Sequence, residues 1–403
     1  MVGMRKLRRL GGMSVVVAIG VVVAACGGSS TSSPSASGGG APTGITADSF
    51  DSSFSVMSQF HGLAASGTGL VGVILPDTST SARYVDFDAP YLTKAFQTAG
   101  LSASNYKVDN AQGSDSTELT LAQADITAGA SVLLVDPLDS GVGVSIESYA
   151  KSHGVKVIDY DRLVLGGSRS FYVSFNNVTV GKLIGQGEVS CISAWNVSSP
   201  QVFELDGAPT DNNATLFAQG YNSVLSPMFQ SGTYTKVGEQ AVPMWNNQQA
   251  LTIFQQQYTA HPNINSVVTA NDGLGNAVIS ALKAASIPSK KVPTTGQDAT
   301  LQGMQNILQG YQCMSVYKPI YLETQAAVAL ALYLRAGHTP PSGLVNGTAQ
   351  DSTANVGVPS VLLTPVSVTT SNMESTVIKD GFIKATDLCS SAGAALCQQY
   401  GIS

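Results

Sequence analysis

From Gly69 onward, short β-branched and apolar runs alternate with amphipathic stretches of ten or more residues, and few architectures accept that rhythm. Leu70–Leu75, Tyr106–Asn110, Ser131–Asp136 and Val155–Asp159 read as strands, separated by helices at Arg83–Thr98, Ser116–Thr127 and Gly143–His153. Strands that alternate with helices of this length form βαβ units, and these assemble a parallel sheet. After a strand at Phe171–Phe175 the rhythm restarts with helix Val178–Ala194, strand Gln201–Asp206, helix Ala214–Phe229 and strand Lys236–Val242. Helix Asn247–Ala260, strand Ser266–Ala270, helix Leu274–Ala285 and strand Val292–Gly296 complete it. A strand at Met314–Tyr317, a helix at Leu322–Ala336 and a closing strand at Val361–Thr364 follow. The fold class is α/β, with two Rossmann-like lobes each built on a parallel sheet. A body of roughly 330 residues also exceeds the size at which a single core stops growing.

The segment before this body is of a different kind. Arg5, Lys6, Arg8 and Arg9 precede an apolar run from Met13 to Ala25, and no acidic residue occurs before Asp48. That pattern is an export signal; the run is short against the ~20 residues of a bilayer span. It ends in Val23-Ala24-Ala25-Cys26-Gly27, which resembles the lipobox of bacterial lipoproteins and implies a diacylated Cys26 as the first mature residue. Removing the four basic residues takes the formal net charge from −6 to −10, which argues against nucleic acid as a partner. Residues 26–47, rich in Ser, Gly, Thr and Pro, are expected to be a disordered tether. Phe50, Phe54, Met57 and Phe60 give an extension over 48–68 a helix-like apolar spacing.

Four cysteines remain besides Cys26: Cys191, Cys313, Cys389 and Cys397. An even number in an exported chain implies disulfides, and four cysteines allow three pairings. The eight-residue separation of Cys389 and Cys397 favours their pairing, which leaves Cys191 to Cys313. No C-x-x-C occurs and His61, His153, His261 and His338 are scattered, so neither a metal nor a cofactor is expected.

In open parallel sheets, ligands bind beyond the carboxyl ends of the strands. Those ends read Pro76-Asp77, Tyr160-Asp161-Arg162, Asn271-Asp272, Gln297-Asp298 and Lys318-Pro319. Carboxylates and amides set beside Arg or Lys can satisfy hydroxyls that both donate and accept, and aromatic rings such as Tyr84 and Trp245 can cover apolar C–H faces. These are the parts that a free sugar requires.

A series of co-linear motifs sharpens the reading. Ile158-Asp159-Tyr160-Asp161-Arg162, Phe171-Tyr172-Val173-Ser174-Phe175-Asn176-Asn177, Thr210-Asp211-Asn212-Asn213-Ala214, Thr269-Ala270-Asn271-Asp272 and Gly296-Gln297-Asp298-Ala299 run in order. Ser315-Val316-Tyr317-Lys318-Pro319, Leu362-Leu363-Thr364-Pro365 and Thr376-Val377-Ile378-Lys379-Asp380-Gly381-Phe382 continue them. Together they resemble the periplasmic D-xylose-binding proteins, over about Gly69 to Leu388. The resemblance implies a type I periplasmic binding protein fold whose lobes are joined by a three-strand hinge. It implies a monosaccharide ligand, most simply D-xylose, and the transmembrane permease subunits of an ABC importer as partners, for a monomer anchored through Cys26 outside the cell membrane. It places Arg83, Tyr84 and Arg162 on the first lobe, and Asp211, Asn212, Trp245, Asn271, Asp298 and Lys318 on the second lobe or hinge. The lobes are expected at 69–175 with 321–358 and at 176–320 with 359–388, followed by a tail at 389–403. The first loop, Thr78-Ser79-Thr80-Ser81-Ala82, departs most from the family pattern, and Thr80→Ala there is expected to matter less than loss of Trp245, Arg162 or Asp298. No G-x-S-x-G, H-E-x-x-H or P-loop is present, so an enzyme is not expected. A sugar sensor that signals to a chemoreceptor or kinase, or the same clamp with a hexose or another pentose, is the alternative.

Overall fold

The computed structural model describes residues 40–403. The signal at 1–25, Cys26 and the tether as far as residue 39 lie outside the described residues. A short helix α1 (His61–Ser66) leads into the first lobe: β1 (Leu70–Leu75), α2 (Ala89–Thr98), β2 (Tyr106–Asn110), α3 (Asp115–Thr127), β3 (Ala130–Val135), α4 (Ser140–Ser152), β4 (Lys156–Tyr160) and β5 (Phe171–Phe175). The chain then crosses over. The second lobe follows as α5 (Asn177–Ala194), β6 (Gln201–Asp206), α6 (Asn212–Gln230), β7 (Thr235–Ala241), α7 (Asn247–Ala260), β8 (Ser266–Thr269), α8 (Asp272–Ala284), α9 (Leu301–Gln309) and β9 (Ser315–Tyr317). At Lys318-Pro319 the chain returns to the first lobe with α10 (Ile320–Arg335), β10 (Gly347–Asp351) and β11 (Val356–Leu363). It crosses a third time at Thr364-Pro365 to β12 (Val366–Val368), α11 (Ala385–Ala392) and α12 (Ala394–Gln399).

The first sheet has the order β10-β11-β5-β4-β3-β1-β2, parallel except for β10. Helices cover both faces of its centre, so every residue of β1 and nearly every residue of β3 is buried. Their sequences are therefore continuous apolar runs rather than alternating ones. The second sheet, β7-β6-β8, is parallel, and single bridges through Thr294 and Gln297 carry it on to β9, which pairs antiparallel with β12. Helices α5 and α6 pack backbone to backbone. A Cβ on Gly181 would stand 2.1 Å from the Phe217 carbonyl oxygen and one on Gly220 would stand 2.3 Å from that of Val178, so only glycine permits this approach.

Several expected boundaries move. Packing begins before Ala47, because Ile45 and Ala47 are buried and the Ala47 N–H donates to the Gly343 carbonyl at 3.2 Å. The 48–68 extension lies on α10: the Gln325 amide donates to the Asp51 carbonyl at 2.8 Å, and Phe60 meets Tyr333 edge to face. The first lobe runs through Leu363 rather than residue 358, because β11 pairs with β5 along Ser360–Leu363. The expected strand at Val292–Gly296 shrinks to the bridge at Thr294. The 389–403 segment is part of the second lobe, with α11 and α12 packed on α9. Both disulfides form, Cys191–Cys313 between α5 and the approach to β9, and Cys389–Cys397 between α11 and α12.

Candidate functional site

Each carboxyl-end loop presents its residues for a local reason. After β1, the Asp77 carboxylate accepts from the Ser79 and Thr80 N–H groups at 2.8 and 2.7 Å, a turn closed by a side chain that aims Thr80 and Ser81 inward. Beyond β4, Asp161 holds a left-handed backbone, φ +57°, unusual for a non-glycine residue and typical of ligand clamps. Asp211 and Asn271 are N-caps, of α6 and α8 respectively. Each spends one side-chain oxygen on its helix, Asp211 on Asn213 N–H at 2.8 Å and Asn271 on Leu274 N–H at 2.9 Å. Asp298, φ +93°, sits on a loop tied down by buried Asp272, which accepts from Ser315, Gln312 and the Thr300 N–H at 2.7–2.8 Å.

These loops meet in one cleft between the lobes. Of the nine residues assigned from sequence, Arg83, Tyr84, Arg162, Asp211, Trp245, Asn271, Asp298 and Lys318 line it. Asn212 does not, and the neighbouring Asn213 takes its place. With Asp211 as the cap, Asn213 is the second helical residue; its Nδ2 donates to the Asp161 carbonyl at 2.9 Å while its Oδ1 accepts from Asn177 at 2.7 Å. That N-cap was the signal available in the sequence. Asp161 and Gln297, named only as strand-end residues, also face the cleft, as do Phe217, Thr80 and Ser81. The two hydroxyl residues belong to the loop that departs most from the family pattern, and Ser81 Oγ donates to Asp298 across the cleft at 3.4 Å.

The cleft is an ionic lattice. Arg83 binds Asp88 through Nε and Nη2 (3.0 and 2.7 Å), Asp161 through Nη1 (2.9 Å) and Glu323 of α10 through Nη2 (2.7 Å), so its guanidinium is committed to three carboxylates. The Tyr84 hydroxyl donates to Asp161 at 3.1 Å and accepts from Arg162 at 3.0 Å. Burial alone would raise the Asp161 carboxyl; Arg83, Lys318 and Arg162 outweigh it and hold the group down at about 2. Lys318 Nζ stands 3.3 Å from Asp298 and 3.8 Å from Asp161. Trp245 donates its indole N–H to Asp211 at 3.0 Å, and its ring lies edge to face with Phe217 at 6.4 Å. So tightly do these groups pair that only about 20 Å³ remains free, room for about one water. Flanking chambers of about 270 and 250 Å³ open on either side.

Other features compare poorly. A groove of about 390 Å³ on the second lobe, beside the Cys191–Cys313 bridge, has one cation, Lys290, and no carboxylate. Glu204, Asp206 and Glu239 cluster, but Lys236 already fills the cluster, 2.7 Å from Glu204 and 2.6 Å from Glu239.

The sequence matches the periplasmic binding protein domain over residues 71–339. It is 38% identical over 285 residues to the D-xylose-binding periplasmic protein of Escherichia coli (strain K12), covering 70% of this chain and 82% of that one. It is 36% identical over 276 residues to the protein of the same name from Haemophilus influenzae, covering 68% and 80%. Among solved structures, a carbohydrate transporter solute binding protein from Chloroflexus aurantiacus, in complex with D-glucose, superposes with a TM-score of 0.70 at 26% identity, covering 79% of this chain and 97% of that one.

Proposed function

The chain belongs to the periplasmic binding protein family, and on that premise we propose that it is the extracytoplasmic sugar-capturing component of an ABC importer, with D-xylose as its ligand. It is a binding protein and not an enzyme, as its relatives are. The observation that carries the reading is a cleft at the strand ends where cations and carboxylates of two lobes already pair, with Trp245 beside them.

A sugar hydroxyl can donate to Asp211 and accept from Arg162 at once, so one ring hydroxyl placed between them replaces an ion pair by two charge-assisted hydrogen bonds. Asp298 and Lys318 offer the same exchange. Trp245 supplies apolar surface for C–H groups. Because the partners come from both lobes, sugar favours the closed arrangement over an open one, and the closed clamp is the form presented to the permease subunits. Diacylation at Cys26 would hold the clamp at the outer face of the cell membrane.

Calorimetry with a panel of D-xylose, L-arabinose, D-ribose and D-glucose tests this. D-xylose is expected to bind most tightly, because a hexose must also place its hydroxymethyl group in a cleft with little free space. Absence of binding for every sugar at millimolar concentration overturns the reading.

A further inference from the structure

Asp136, the first residue past β3, is buried just behind the lining of the cleft. Its backbone N–H donates to the Ile74 carbonyl at 3.0 Å, so it continues β3 alongside β1. Neither of its carboxyl oxygens makes a hydrogen bond among the described residues. A wholly buried acid without a hydrogen bond calls for an explanation, because an unpaired buried charge is costly.

Arg162 supplies one. Its Nε stands 3.5 Å from Asp136 Oδ1 and 3.2 Å from Asp211 Oδ2. Nε carries a single N–H, so it can serve only one of these carboxylates at a time. The two differ in where they belong: Asp136 lies on the same lobe as Arg162, Asp211 on the other. The Tyr84 hydroxyl accepts from Nη2 at 3.0 Å and the Pro137 carbonyl from Nη1 at 3.1 Å, and these first-lobe groups keep the guanidinium beside Asp136 however the lobes move. Asp161, the neighbouring acid, is already engaged by Arg83 and the Tyr84 hydroxyl. Hinge motion that carries Asp211 away therefore leaves Asp136 to take Arg162, and closure leaves Asp136 without a partner.

We infer that Asp136 is a positioning residue that competes with Asp211 for Arg162, holding the guanidinium on the first lobe in the open clamp and giving it up on closure. The inference rests on the cleft being the sugar site. Paired with Arg162 in the open clamp, the Asp136 carboxyl is ionised. In the closed one, burial raises it far above the usual carboxylate range, with Arg162 and Arg83 opposing the rise and Asp161 and Asp88 adding to it. Tyr84 also faces it, and Glu118 of α3 and Glu323 of α10 stand beyond it, on Arg162 and Arg83. All of these belong to the first lobe, so the departure of Asp211 is what changes the balance. Closure on the sugar takes up a proton at Asp136. By linkage, affinity is fullest at low pH and falls as pH rises towards the raised value of the closed form.

Calorimetry of D-xylose binding at pH 6 and pH 8, in two buffers of different ionisation enthalpy, on the wild type and on Asp136→Asn, tests it. The wild type is expected to take up protons on binding and to bind about five-fold or more weakly at pH 8 than at pH 6. Asparagine keeps the shape but cannot ionise to hold Arg162. The variant is expected to take up no proton at this position, to keep its affinity within about two-fold over the range, and to bind xylose more tightly than the wild type at pH 8. A structural role alone predicts weaker binding and an unmoved pH profile. Absence of proton uptake by the wild type, wild-type pH dependence in the variant, or weaker binding by the variant at pH 8 overturns the competition. The first of these is read on the wild type, so it decides even where the variant fails to fold. Absence of xylose binding by the wild type at both pH values overturns the cleft as the sugar site, and this inference with it.

Discussion

Arg162 and Asp211 belong to opposite lobes, and their side chains meet at 3.2 Å, Nε to Oδ2, both almost wholly removed from solvent. A buried pair of this kind returns little net stability, since desolvation of both charges offsets their attraction. Its worth lies in what replaces it. Burial raises the Asp211 carboxyl, with Arg162 opposing that rise, so loss of the arginine strands a buried acid as well as a hydroxyl acceptor. Arg162→Ala is therefore expected to weaken D-xylose by about 1.5–3 kcal/mol, some ten- to a hundred-fold, with the fold intact by circular dichroism. Calorimetry showing unchanged affinity would remove Arg162 from the site.

Gly207 decides where Trp245 lies. A Cβ at position 207 would stand 2.0 Å from the indole six-membered ring, too close for any side chain. Gly207→Ala must displace the ring and break its N–H bond to Asp211. The expected result is weaker sugar binding together with a shifted tryptophan emission spectrum. Wild-type affinity and spectrum in this variant would show that the ring does not contribute.

Cys26→Ser separates anchoring from capture. Cys26 precedes the described clamp by more than a dozen residues, so its loss is expected to move the protein from the membrane fraction to the soluble one at unaltered sugar affinity. Equal membrane retention of the variant would exclude lipidation there.

The strand ends were legible in the sequence because parallel strands buried on both faces leave apolar runs, such as Leu70–Leu75, that stop abruptly at polar residues. The caps were less legible: Asp211 and Asn271 read as polar turn and strand-end residues, with the helices expected to begin at Ala214 and Leu274, whereas each residue directly caps its helix. What the sequence hid was non-local. Strand β10 reads Gly-Thr-Ala-Gln-Asp, polar enough for a loop, and is an edge strand pinned at Asp351, which accepts from the Gly166 N–H and from Arg169. Helix α9, strongly amphipathic but only nine residues long, carries too short a periodic signal to stand out between the two strand-like runs that flank it. The inward aim of Thr80 and Ser81 depends on how Asp77 folds its own turn, which composition does not reveal.

The two disulfides should differ in their hold on stability. Cys389–Cys397 closes a separation of 8 residues and Cys191–Cys313 one of 122, for which the chain-entropy account gives roughly 2.5 and 5 kcal/mol. Each bridge contains one buried sulfur, at Cys191 and Cys397, so the cost of burying serine is comparable. Replacing both cysteines of the long bridge by serine is expected to lower the midpoint of denaturant unfolding more than replacing both of the short one. The reverse order would show that the unfolded chain is not what the long bridge restrains.

Glu118 and Glu188 lie in different lobes, each fully buried, and burial pushes both carboxyls up to about 8. The Leu138 N–H at 3.1 Å and the Arg162 charge oppose the shift of Glu118, and the Ser266 hydroxyl opposes that of Glu188, but burial outweighs them in both cases. In the unfolded chain both groups release their protons near pH ~4.3. Between that pH and about 8 the folded protein holds protons that the unfolded chain has lost, so folding takes up protons and stability falls as pH rises through the window. Asp272, raised to about 7 by burial, adds to the same slope over its lower part. Asp161 has the opposite sign, but its contribution is complete above pH ~3.9 and is lost only as pH falls towards 2, so it cannot offset the trend. The melting temperature is therefore expected to decline from pH 5 to pH 8. Glu118→Gln and Glu188→Gln, which keep the shape and remove the titration, should each flatten the decline. A melting temperature that is level or rising over this range, or glutamine variants with the wild-type slope, would show that these carboxyls are not held protonated by the fold.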